Sequence, residues 1–132
     1  MLNFRAVLTG FLADLGSTFL FSAALVIVLL DPGSGSMNLA SRLDGTIWID
    51  AISLVIGLSL TAIGGFVAAR MAPGREATHA AAVGVLSLLA SIMMVGDLQG
   101  APAWYATLGL GLTFPAALFG GTIAALTRLT ER

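Results

Sequence analysis

Four long apolar stretches, separated by short polar segments, make up most of this 132-residue chain. They cover roughly residues 4–30, 47–71, 79–96 and 103–126. Each has at least the roughly 17 residues that a helix needs to cross a bilayer core of about 30 Å. Such stretches are helical because irregular backbone in lipid would leave its N–H and C=O groups unpaired. The pattern predicts an all-α fold: one transmembrane domain over residues 1–132, built as a four-helix bundle with short loops.

The arginines predict how these helices are oriented. Five of the six basic residues lie at one alternating set of helix ends, and Arg42 is the exception. The five are Arg5, Arg70, Arg75, Arg128 and Arg132. Cytoplasmic loops carry the excess of basic residues, and interfacial aromatic rings such as Trp48, Trp104 and Tyr105 lie here at the opposite ends. We therefore expect both termini and the link near residue 74 to be cytoplasmic.

Composition narrows the classes of function. The chain is 58% hydrophobic and 10% charged, whereas about a quarter of the residues in a soluble domain are charged. A formal net charge of −1, without a clustered basic face, argues against a nucleic-acid partner. With no cysteine and one histidine, we expect no disulfide and no zinc site. No Ser-His-Asp arrangement or carboxylate pair is evident either, so we expect no enzyme, no catalytic residue and no cofactor; the expected partner is the lipid bilayer.

Small residues recur at helical spacing in the second and fourth stretches. Helices in lipid associate through close packing, which small side chains permit. The sequence therefore predicts helix–helix contacts at Gly57, Thr61, Gly64, Gly65, Thr113, Ala117, Gly120 and Gly121. These contacts would lie within one bundle or along the seam of a homo-oligomer.

Asp14 is the main candidate for chemistry. If the hydrocarbon core begins near Gly10, Asp14 lies about one turn inside the cytoplasmic boundary, at a depth similar to that of Arg70 and His79. Charged groups within membranes usually face the bundle and have a partner. The predicted polar cluster is Asp14, Ser17, Thr18, Arg70 and His79. It would be a proton-titratable or ligand-binding site, or else a structural ion pair with anchored helix ends.

Three segments together resemble a recurring type of small bacterial inner-membrane protein. They are Phe-Arg-Ala-Val-Leu at 4–8 followed by Asp-Leu-Gly-Ser-Thr at 14–18, Gly-Gly-Phe-Val-Ala-Ala-Arg at 64–70, and the stretch from Glu76 through His79 to Gly84. The resemblance covers the first three spans. It implies a bacterial plasma membrane and a four-helix fold, and it implies no activity.

Two other four-span families fit less well. Ala-Asp-Leu-Gly-Ser-Thr at 13–18 is similar to a phrase in the first helix of small multidrug resistance transporters, which carry glutamate there and aromatic residues in a third helix. The third span of this chain has no aromatic residue. Dimeric fluoride channels are of similar size, but their second-helix asparagine and phenylalanine-rich third helix have no counterpart here.

These observations leave two functional expectations. The first is a non-enzymatic accessory subunit or homo-oligomeric scaffold, as a homo-oligomer or within a larger membrane complex. The alternative is a proton-coupled small-molecule transporter or channel that uses Asp14. Oligomeric state, and the depth and partners of Asp14, would discriminate between them.

Overall fold

The computed structural model describes residues 2–29, 47–94 and 102–131. Over these residues the chain forms helices α1 (Phe4–Leu29), α2 (Ile47–Arg70), α3 (Glu76–Met94) and α4 (Ala103–Thr130), and no strand. All four helices are long and apolar enough to cross a membrane. The predicted all-α fold with four apolar helices is confirmed.

The helix bounds differ from the predicted spans at two places. α3 begins at Glu76 rather than His79, and α4 continues to Thr130 rather than ending near residue 126. Arg128, in the extended part of α4, donates to Glu76 Oε1 at 2.8 Å and to the carbonyl of Arg70. These polar contacts hold the last turn of α4 against α2 and α3. The helix therefore continues beyond the end of its apolar stretch.

A tight turn joins α2 to α3. The amide of Ala72 donates to the Ala69 carbonyl at 3.1 Å, and Gly74 adopts a φ of 80°. This left-handed conformation favours glycine because it has no Cβ. The Gly74 amide then donates to Glu76 Oε1 at 3.0 Å, which places a carboxylate at the N-terminus of α3, where the helix dipole stabilises it.

Contacts between helix ends define an up-down-up-down bundle. The Asn3 amide, just before α1, donates to Nε2 of His79, near the start of α3, at 2.8 Å. Arg70, at the end of α2, donates to Glu131, just after α4, at 3.3 Å. The chain therefore enters and leaves the bundle at the same end. α2 and α3 each contact all three other helices.

Small side chains lie inside the bundle and large apolar ones outside, which is the reverse of the arrangement in a soluble protein. Among the residues whose burial is described, the buried apolar ones are all alanines and valines, and the largest fully buried side chains are His79 and Val83. Large apolar side chains cover the outer surface instead, among them Phe19, Leu20, Ile27, Trp48, Met93 and Phe119. Lipid solvates these side chains as well as a core would, so only small residues gain from being between helices.

Glycines bring the helix backbones together in the half of the bundle that contains both chain ends. A Cβ on Gly10 would lie 2.5 Å from the Gly64 carbonyl oxygen. A Cβ on Gly65 would meet the Ala117 carbonyl, and one on Gly120 would meet the Ala62 carbonyl. We call this region the close-packed half; it is built around Gly10, Gly64, Gly65, Gly120 and Gly121.

Candidate functional site

Asp14 is buried at the centre of the bundle, with 4% of its surface exposed. Thr61 of α2 donates to its Oδ1 at 3.0 Å, and Ser87 of α3 donates to its Oδ2. Among the described residues, no basic side chain pairs with this carboxylate; the two ion pairs there are Arg70–Glu131 and Arg128–Glu76. Asp14 thus points into the bundle, where two hydroxyl groups bind it.

The up-down topology brings these three residues to one level. Asp14 lies ten residues after Phe4, Thr61 nine before Arg70, and Ser87 eleven after Glu76. At about 1.5 Å per residue, each lies roughly 14–17 Å from the shared end of the bundle. A hydrocarbon core about 30 Å thick that began at this end of the bundle would have its middle near this level.

Gly64 allows α1 to approach α2 closely at this level. A Cβ at position 64 would lie 2.7 Å from the Cβ of Asp14 and 2.7 Å from the Gly10 carbonyl oxygen. The carboxylate therefore reaches Thr61 across a helix contact that a larger residue would prevent.

The predicted partners of Asp14 lie elsewhere. Arg70 contacts Thr127 and Glu131 of the α4 end, and its guanidinium lies 5.9 Å from the ring centroid of Phe66. Arg70 is the last residue of α2 and His79 lies in the first turn of α3, whereas Asp14 lies ten residues after the start of α1. Arg70 and His79 belong to the end of the bundle.

His79 has its own buried site, with 1% of its surface exposed. Its Nε2 accepts the Asn3 amide hydrogen, so Nδ1 carries the ring proton, which it donates to the Arg75 carbonyl at 2.8 Å. This pairing ties the start of α1 to α3.

Ser17 and Thr18 complete the predicted cluster. The Ser17 hydroxyl donates to the Ala13 carbonyl of its own helix at 2.6 Å. Thr18 lines a cavity that adjoins Asp14. The Ser17 hydroxyl also lies 3.0 Å from the backbone carbonyl oxygen of Asp14, but of the predicted cluster only Asp14 and Thr18 line the cavity.

That cavity has a volume of about 280 Å³ and lies between all four helices. Asp14, Thr61 and Ser87 form one end of it, and Met94 and Tyr105 lie at the other. Leucines line its sides: Leu15, Leu54, Leu58 and Leu110. We call this region the cavity half; it extends from Asp14 away from the close-packed half.

The residues predicted to pack between helices divide between the two halves. Gly64, Gly65, Ala117, Gly120 and Gly121 are buried in the close-packed half. Gly57, Thr61 and Thr113 instead line the cavity, and a Cβ at Gly57 would meet nothing within 4 Å.

Sequence reasoning missed Thr61 and Ser87 as ligands of the carboxylate. Both are small polar residues, and of the two only Thr61 is among the positions predicted from the sequence, as a helix-packing residue. Counting from the shared end of an up-down bundle, rather than from an assumed membrane boundary, would have aligned them with Asp14.

Over the described residues, no group of three or more His, Asp or Glu side chains is arranged to hold a metal ion. No protein-family model, curated protein or solved structure matches the chain. The likeness to small bacterial inner-membrane proteins therefore stays a prediction, and function is argued from the cavity itself.

Proposed function

We propose that this protein is a proton-coupled transporter that binds a small solute in the cavity, with Asp14 holding either the solute or a proton. One observation carries the proposal. A buried carboxylate without a basic partner among the described residues faces a cavity of about 280 Å³ inside a membrane bundle.

The cost of burying a charged Asp14 in a membrane supports a role for this residue in binding a proton or a cation. A charged carboxylate at the middle of a bilayer costs at least about 2.5–3.5 kcal/mol on insertion scales. The hydroxyls of Thr61 and Ser87 offset part of this cost, but they bring no positive charge. A proton or a cationic solute would neutralise the group, so the two would compete for the same oxygen atoms.

An accessory subunit or scaffold remains the other expectation from the sequence, and it stays a prediction. Close packing alone would be served by the glycines and alanines of the close-packed half. It gives no reason for an acidic residue at the end of a cavity, whereas transport does.

Transport also requires that Asp14 become accessible from both sides in turn. In this conformation the cavity ends at Asp14, because α1 and α2 meet at Gly10 and Gly64 directly beyond it. We propose that separation of α1 from α2 at this contact opens the second path. A protonated, neutral Asp14 would cross this transition at lower cost than a carboxylate.

We further propose a bacterial inner-membrane location with both termini cytoplasmic, supported by the arginine distribution. Because the chain has no cysteine, single cysteines can be introduced near Gly35, Gly74 and Gly100; positions 35 and 100 lie outside the described residues. Impermeant maleimide should label the first and last from the periplasmic side and the middle one only after permeabilisation. Periplasmic labelling at position 74 would reverse the topology.

The predicted homo-oligomer or larger complex also stays a proposal. Light scattering of the detergent-solubilised protein on a sizing column would give the number of copies. A monomer that transports would show that one bundle is enough.

Transport can be tested in proteoliposomes that enclose a pH-sensitive dye and start with an acidic interior. Four-carbon solutes of three classes are added outside: butylammonium, butyramide and butyrate. If the proposal is right, at least one of them drives proton efflux faster than in protein-free liposomes, which report passive permeation. Asp14→Asn should abolish this excess.

Asp50→Asn is the matched control, because Asp50 is another membrane-helix carboxylate that does not line the cavity. It should transport like the parent. The proposal is overturned if no solute gives an excess, or if Asp14→Asn and Asp50→Asn liposomes behave alike.

A further inference from the structure

The class of solute can be inferred from the chemistry of the cavity wall, given the proposed function. Within residues 2–29, 47–94 and 102–131, Asp14 is the only acidic residue that lines the cavity, and no arginine or histidine of these segments lines it. An anionic solute would meet a carboxylate without any positive charge. The charge balance of the wall therefore selects for cations.

Four hydroxyl groups on the wall present lone pairs rather than protons to the cavity. Thr61 and Ser87 donate their hydroxyl protons to Asp14. Ser91 donates to the Ser87 carbonyl at 2.8 Å, and Thr113 donates to the Gly109 carbonyl at 2.6 Å. A hydroxyl has one proton and two acceptor sites, so these four groups can only accept further hydrogen bonds.

The rest of the wall is apolar and the space is small. Leucines from α1, α2 and α4 line the sides, and Met94 and Tyr105 lie at the far end. A volume of about 280 Å³ is near the lower limit of ligand pockets, about 300 Å³. A short hydrocarbon chain fits this apolar part of the wall, which a bare metal ion would leave empty.

We propose that the cavity binds a small primary alkylammonium ion. Its ammonium group lies at the Asp14 carboxylate and donates to the surrounding hydroxyl oxygens. Its alkyl chain extends between the leucines toward Tyr105. Three N–H donors match a site of acceptors, and one positive charge matches one carboxylate.

Binding is tested on the purified full-length protein in detergent at constant ionic strength. The midpoint of thermal unfolding is measured against the concentration of butylammonium chloride, since a ligand of the folded state raises it in a saturable way. Three comparison probes each remove one feature. Butanol has the chain without charge, tetramethylammonium has charge without N–H groups, and sodium chloride has charge without a chain.

We expect butylammonium to bind at least about tenfold more tightly than any of the three, because each lacks a charge-assisted hydrogen bond or the apolar chain. Asp14→Asn should weaken butylammonium binding at least about tenfold, while Asp50→Asn should leave it unchanged.

A second variant tests the site without altering Asp14. Gly57→Leu places a side chain in the cavity, where a Cβ would meet nothing within 4 Å. It should fold and lose butylammonium binding. Gly111→Leu is the matched control, since a Cβ there also meets nothing within 4 Å, but Gly111 does not line the cavity.

The outcomes separate this inference from the proposed function. Equal binding of butanol, tetramethylammonium or sodium overturns the inference, as does unchanged binding in Gly57→Leu or no binding at all. If butyramide or butyrate then drives proton efflux that depends on Asp14, transport stands with another solute class. If no solute does, the proposed function falls as well.

Discussion

The two halves of this bundle use glycine in opposite ways. In the close-packed half, Gly65 and Gly120 lie against helix backbone, and an added Cβ would meet the carbonyls of Ala117 and Ala62. In the cavity half, Gly57 borders empty space and an added Cβ would meet nothing within 4 Å. The same residue type joins helices at one end and leaves room for a ligand at the other.

This difference shows that the two halves have different structural roles. The close-packed half holds the four helices at short distances through backbone contact. The cavity half then stays open without a large core, because its helices are already held at the other end. Asp14 lies at the boundary between the two, with Gly64 on one side and the cavity on the other.

The largest effect should come from filling the close-packed half. Gly65→Leu or Gly120→Leu must displace a neighbouring helix backbone, which cannot yield as a side chain does. We expect each to lower the free energy of unfolding by about 3 kcal/mol or more. Thermal unfolding in detergent, with a sizing column to detect aggregation, measures this.

Gly57→Leu is the matched substitution in the cavity half and should change the free energy of unfolding by no more than about 0.5 kcal/mol. If all three variants were equally stable, the distinction between the halves would be false. If all three were equally damaged, the cavity would not provide the space that we describe.

Much of the fold could be predicted because membrane helices are read from apolar length alone. The ends were harder: α4 continues to Thr130 because Arg128 contacts Glu76 and the Arg70 carbonyl, and apolar length carries no information on such contacts. The stripe through Gly64 and Gly121 followed from spacing. The cavity beside Gly57 could not be predicted in this way, because the spacing of residues along a helix gives no information on the distance between helices.

The candidate site was predicted in part for a similar reason. One carboxylate in a span indicates a polar interior, which identified Asp14. Its partners depend on depth along the bundle. Asp14 lies ten residues, about 15 Å, from the start of α1, whereas Arg70 ends α2 and His79 lies in the first turn of α3. An error of about three turns in the assumed depth therefore exchanges one set of partners for the other.

An intermediate effect should come from the hydroxyl partners of Asp14. Thr61→Val keeps the shape of the side chain and leaves Oδ1 without its donor. We expect a loss of about 1–2 kcal/mol in the free energy of unfolding, because a buried polar atom without a partner is costly.

Thr113→Val is the control, since Thr113 is also buried at the cavity but donates to the Gly109 carbonyl of its own helix. Thr113→Val should lower the free energy of unfolding by no more than about 0.5 kcal/mol. The Gly109 carbonyl lies within a helix, where a backbone N–H still satisfies it. Equal losses in urea or thermal unfolding would mean that the carboxylate gains nothing particular from Thr61.

The smallest effect concerns the ion pairs at the end of the close-packed half. Arg128 and Glu76 lie 2.8 Å apart with 23% and 17% of their side chains exposed, whereas Arg70 and Glu131 are 40% and 61% exposed. Exposed pairs add little because water and salt screen them. Glu76→Gln should therefore lower the unfolding midpoint measurably, and Glu131→Gln should not.

Salt gives the check on this prediction. The difference between Glu76→Gln and the parent should shrink as sodium chloride is raised, since screening weakens the interaction in the parent. A larger effect for Glu131→Gln than for Glu76→Gln would contradict the assignment of the stabilising pair.

The small size of the buried side chains has a consequence for protein engineering. In a soluble domain, exchanging a buried alanine for a bulkier apolar residue can fill space and add hydrophobic free energy. In the close-packed half, Ala80, Ala117 and Ala124 are fully buried between helices, while the exposed surface carries many leucines and isoleucines. If replacements at these alanines are ranked by hydrophobicity, the ranking will therefore be the reverse of their tolerance, because the most apolar replacements are also the bulkiest. Directed evolution for stability should retain alanine and glycine in the close-packed half and accept nearly any apolar residue on the surface that faces lipid.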